Sequence, residues 1–84
     1  YYCERGARIP AIYVKDADPA LAVLVVEGRL VALPQTRSAS GARYAADGTG
    51  YLWWIKGDEA RLQWLDAETG AVTLLLNDCR AIRP

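Results

Sequence analysis

The stretch Tyr51-Leu52-Trp53-Trp54-Ile55-Lys56-Gly57-Asp58-Glu59-Ala60-Arg61-Leu62-Gln63-Trp64-Leu65 decides the fold class. Residues 51–56 are rich in aromatic and branched side chains, which suit a pleated, half-buried surface. Gly57-Asp58 is a turn signal. Residues 61–65 then alternate, with Leu62 and Trp64 on one face and Arg61 and Gln63 on the other. A helix over 59–66 is the competitor, but it is short and bracketed by Gly57 and Gly70. The reading is strand, turn, strand. The same alternation sets Lys56 with Trp54 and Leu52, opposite Trp53 and Ile55. One of the adjacent tryptophans therefore points inward and the other lies on the outer surface.

Outward from this hairpin the pattern repeats. Strand-like segments occupy 1–5, 8–14, 21–26, 29–33, 42–46, 71–76 and 79–82. Turn chemistry separates them: a cluster over 15–19 ending in Pro19, Glu27-Gly28 as a two-residue hairpin turn, and a small-residue bend over 38–41. Asp47-Gly48-Thr49-Gly50 is the strongest turn signal, and 66–70 form a loop. Pro34 is expected to end its strand or push it to an edge. A helix over 16–26 is disfavoured by Pro19 and by the run of leucine and branched residues that follows. The expectation is an all-β chain, one domain over 1–84, built as a small antiparallel β-barrel of about eight strands, since closure removes exposed edges.

Composition excludes several functions. The chain has 84 residues, 52% apolar and 24% charged, which is globular rather than disordered. Ten Lys+Arg balance ten Asp+Glu, so the basic excess of a nucleic-acid binder is missing, and long-range steering of a cationic partner is not expected. With no histidine, a His-based triad cannot form, and a metal site would rest on carboxylates and two distant thiols. No enzyme, metal or cofactor is expected. Asp16 with Asp18, and Asp58 with Glu59, read as charged turns rather than an acid/base pair. The longest apolar run, 21–26, is too short to cross a bilayer, and no signal peptide is visible.

The two cysteines, Cys3 and Cys79, lie almost at the two ends. This spacing suits neither a CxxC pair nor a zinc knuckle, and it does suit one disulfide tying the first strand to the last. Such a bond would contribute about 4–5 kcal/mol in the chain-entropy model and would persist in the periplasm or outside the cell. The alternative is two unpaired buried thiols in a cytosolic protein.

One constellation carries possible chemistry. A hairpin through 47–50 brings the Ser40-Gly41 bend and Lys56 to the same end, setting a hydroxyl beside a point positive charge. Such a pair is shaped to meet carboxylates. Taken alone, a serine-rich bend is more often a plain turn, a lysine after a strand more often a solvated edge guard, and a tryptophan more often core than platform.

At these residues the chain resembles the MliC family, the membrane-bound or periplasmic inhibitors of c-type lysozyme. The resemblance rests on Tyr2-x-Cys3, on Ser38-x-Ser40-Gly41-Ala42-Arg43-Tyr44, on Trp54-x-Lys56-Gly57-Asp58-Glu59-Ala60, and on Cys79. Position 53 is Trp where the family commonly has Phe or Tyr. The resemblance implies a barrel closed near its ends by a disulfide. It also implies that Ser40 and Lys56 engage the catalytic carboxylates of c-type lysozyme. Gly41, Arg43 and Tyr44 of the first motif, with Trp54 and Gly57 of the second, belong to the same lysozyme-binding site. It places the chain in the periplasm or at the outer membrane, with membrane contact only through a lipid anchor that this chain lacks. The other reading is an envelope structural or carbohydrate-binding module with a surface Trp as sugar platform.

Overall fold

The computed structural model describes residues 1–38 and 40–81. Ala39, inside the expected bend, and Ile82, the expected end of the last strand, lie outside them. Among the described residues seven strands form one antiparallel sheet in sequence order: β1 (Ala11–Val14), β2 (Leu21–Val26), β3 (Arg29–Thr36), β4 (Ala42–Ala45), β5 (Gly50–Lys56), β6 (Glu59–Leu65) and β7 (Val72–Arg80). The sheet curls into a half-barrel.

The turn chemistry explains this order. Glu27 (φ 51°) and Gly28 (φ 76°) both take positive φ, the requirement of a type I′ hairpin turn, and join β2 to β3. Gly57 (φ 60°) occupies the first central position between β5 and β6, where a type II′ turn needs glycine. Pro34 does not end β3, which continues to Thr36. It sits where β3 changes partners: residues 29–34 pair with β2, and Gln35 and Thr36 pair with β4. A missing N–H is tolerated where one ladder stops and the next begins.

Two further expectations change in detail. Residues 4–6 form a 3₁₀ turn rather than part of a strand, leaving Tyr2 in isolated bridges to Arg8 and Arg80. Backbone bonds run both ways between Tyr2 and Arg80 (2.8 and 2.9 Å), and among the described residues this seam is where the N-terminal segment bridges β7. The two expected segments 71–76 and 79–82 are one strand, β7, with Asp78 at φ 51° forming an irregularity inside it. The strand count is thus seven rather than about eight. The Cys3–Cys79 disulfide forms, with both cysteines buried beside the seam.

The concave face holds the core: Ile9, Ala22, Leu24, Val26, Leu33, Tyr44, Trp53, Ala60 and Leu62. Trp53 is fully buried and its Nε1–H donates to the Tyr13 hydroxyl (2.9 Å), which donates to the Tyr1 hydroxyl (2.8 Å). Tyr1 meets the Trp53 ring edge to face at 5.0 Å, and Tyr13 packs on Tyr44 at 5.6 Å. Burial pushes the Tyr13 hydroxyl far above the usual phenol range, reinforced by its bond to Tyr1 and opposed by the bond from Trp53. Burial likewise raises Tyr44, with Tyr1 as the second cause. Trp64 stays on the face of Leu62, as the alternation requires, but at the open mouth of the half-barrel, where its ring meets Tyr51 edge to face at 5.0 Å.

Candidate functional site

The β4–β5 hairpin brings the two motifs together. The register pairs Ala42 with Ile55, so Gly41 falls opposite Lys56 and Ser40 opposite the Gly57 turn. Gly41 has φ +67°, and a Cβ placed there would overlap the Ile55 carbonyl oxygen and stand 3.2 Å from Lys56 Cβ. Only glycine permits both the left-handed backbone and this contact. The first motif's glycine is therefore the joint at which the Ser40 bend seats on the Lys56 strand.

Trp54 locks the same joint from outside. It is the outward member of the tryptophan pair, and its Nε1–H donates to the Ser40 carbonyl (3.2 Å). That carbonyl also accepts from the Ser38 hydroxyl (2.5 Å). The bend is thus tied by its backbone, and the Ser40 hydroxyl itself has no hydrogen-bond partner among the described residues. Lys56 is exposed at the end of β5. Across the turn it pairs in register with Glu59, whose carboxylate instead accepts from Arg80 (3.1 Å). The Lys56 ammonium has no ion-pair partner among the described residues. An alcohol and an ammonium thus stand at one end of adjacent strands, both exposed and both without a partner.

The remaining expected residues divide. Arg43 is half-buried on the outer face, directly opposite Trp54 in register. Gly57 makes the hairpin turn directly after Lys56. Tyr44 does not reach this surface. It is 5% exposed and packs inward on Tyr13, because alternation along β4 turns it away from Arg43. Sequence reasoning missed Arg61, whose guanidinium lies 4.7 Å from the Trp54 ring centroid. The β5–β6 register that pairs Arg61 with Trp54 was the available signal. Among the described residues no group of three or more metal-ligating side chains forms, and no helix is long and apolar enough to cross a membrane.

Residues 1–71, which contain both motifs and Cys3, match the family described as MliC, membrane-bound lysozyme-inhibitor of c-type lysozyme. The chain belongs to the MliC family. Three relatives, each named membrane-bound lysozyme inhibitor of C-type lysozyme, agree with this placement. One from Cupriavidus necator is 40% identical over 81 residues, covering 96% of this chain and 62% of that protein. Another from Pseudomonas aeruginosa is 41% identical over 63 residues, covering 74% of this chain and 48% of that protein. A third from Escherichia coli is 42% identical over 60 residues, covering 71% and 48%. The chain thus spans about half to three fifths of the length of these MliC relatives. No solved structure matches it.

Proposed function

We propose that this chain inhibits c-type lysozyme by inserting the Ser40 bend and the Lys56 hairpin end into the enzyme's active-site cleft. The observation that carries the reading is the Gly41 joint, which seats at one end of the half-barrel a hydroxyl and an ammonium that have no partner among the described residues. Glycosidases of this kind work with two carboxylates in different protonation states. An ammonium set between them occupies the place of the substrate's developing positive charge, and the bend excludes the sugar. The Ser40 hydroxyl completes the hydrogen bonding that makes a buried charge pair favourable. The inhibitor performs no chemistry of its own, and no cofactor or metal enters. Its relatives are named membrane-bound, and a Cys3–Cys79 bond persists only in an oxidising compartment, so the working place is the bacterial envelope.

The test is the loss of turbidity of a bacterial suspension treated with c-type lysozyme, with and without this protein. Protection in its presence supports the reading, and an unchanged clearing rate overturns it. A second reading has one observation in its favour. Trp64 (38% exposed) and Tyr51 line a groove of about 670 Å³ that an apolar sugar face would fit. That reading predicts binding to peptidoglycan fragments without lysozyme present.

A further inference from the structure

The outer face beside Ser40 and Lys56 carries a concentration of positive charge that the zero net charge conceals. Arg43 on β4 and Arg61 on β6 flank Trp54 in register, and Arg37 stands just beyond the end of β3. The three arginines and Trp54 line a shallow groove of about 480 Å³. Leu52 lies on its floor and is only 3% exposed although it points outward, because the surrounding side chains, long arginine stems among them, cover it. Among the described residues Arg37, Arg43 and Arg61 have no carboxylate partner, in contrast to Arg80 with Glu59. On the other side of Trp54 and Arg61 a second depression is lined by Glu59 and Asp78, so the arginine groove has an acidic neighbour, and Glu59 there is held by Arg80.

We infer that Arg37 and Arg61, with Trp54 between the strands, form a second contact surface for the same lysozyme, meeting acidic side chains on the lip of its cleft. This inference rests on the proposed function above. Three features favour that occupant. The groove is continuous with the Ser40–Lys56 end, because Ser38 lines it and Trp54 bonds the Ser40 carbonyl. Its guanidiniums have no carboxylate partner among the described residues, so they are free to pair with acidic side chains around the carboxylate pair that Lys56 meets. Its shallow form and its Trp and Arg content suit a protein surface, where these residues dominate binding. The stacking of Arg61 on Trp54 holds the guanidinium ready, so little freedom is lost on contact.

The experiment compares wild type, Lys56→Ala, the charge-reversed pair Arg37→Glu with Arg61→Glu, and the neutral pair Arg37→Gln with Arg61→Gln. Inhibition constants and association rates toward c-type lysozyme are measured across a salt series, with near-ultraviolet circular dichroism reporting native packing. The reversed pair is expected to inhibit about tenfold or more weakly, with the neutral pair between it and wild type. Both pairs should lose less affinity than wild type as salt rises, a readout that a merely structural role for these residues would not move. If both pairs inhibit like wild type with its salt dependence while Lys56→Ala loses inhibition, this surface is refuted and the proposed function stands. If wild type itself fails to inhibit, the proposed function falls and this inference falls with it.

Discussion

Position 53 points into the half-barrel and position 54 out of it, so one step in sequence separates the core from the side chain that ties the Ser40 bend. Trp53 contributes through area and through one hydrogen bond to Tyr13, whose hydroxyl is the only acceptor its indole has among the described residues. Tyr13→Phe keeps the ring and strands that buried N–H, so it should cost about 1–3 kcal/mol in urea unfolding. The pH dependence has a definite sign. Tyr13 and Tyr44 hold their protons more tightly folded than unfolded, because burial disfavours the phenolate. Their contribution is complete below about pH 10, the ordinary phenol value, and is lost as pH rises beyond it. Thermal midpoints measured from pH 8 upward should therefore fall past that point, and less steeply in Tyr13→Phe. A midpoint that rises through this range would contradict the assignment. That one tryptophan of the pair points inward and the other outward was legible from period-2 alternation; that Trp53 is the buried one was not read. The burial of Tyr44 was not read, although the same alternation sets it opposite Arg43, because motif membership grouped the two as contacts.

At the scale of elements, the hairpins were legible because each turn carries chemistry that its geometry demands, as at Glu27-Gly28 and Gly57. The departures share another cause. Pro34 and Asn77-Asp78 carry local signals for ending a strand, and partners distant in sequence overrule both. Pro34 falls at the handover between β2 and β4, and the Asn77 N–H is taken by the Glu4 carboxylate (3.1 Å), 73 residues away. The joint between the two motif elements yields a comparison. Gly41 and Gly48 both have positive φ, but a Cβ at Gly48 meets nothing within 4 Å, whereas one at Gly41 overlaps β5. Gly41→Ala should therefore destabilise by about 1–3 kcal/mol more than Gly48→Ala and should weaken inhibition as well. Equal losses in urea unfolding would show that the joint is not close-packed.

At the scale of the whole molecule, the cysteine spacing pointed to a terminal tie, and the Cys3–Cys79 bond provides it. It lies beside the Tyr2 seam, where the sheet meets itself through isolated bridges rather than a full ladder. A seam this short depends on the covalent link, so Cys3→Ala with Cys79→Ala should cost about 2–5 kcal/mol, read as a lowered thermal midpoint. An unchanged midpoint would mean that the bridges hold the seam unaided. Charge arrangement was the feature least legible beforehand: a net charge sums over the sequence, and only the fold brings Arg37, Arg43 and Arg61 from three separate strands or strand ends to one groove. The central claim is that one unpartnered ammonium, held at the tip by the Gly41 joint, plugs an acidic cleft. Its most direct test is the inhibition constant of Lys56→Ala against c-type lysozyme, beside wild type and the milder Ser40→Ala. The account predicts a loss of about 2–5 kcal/mol for Lys56→Ala and a smaller loss for Ser40→Ala. A Lys56→Ala curve that overlays the wild type would contradict it.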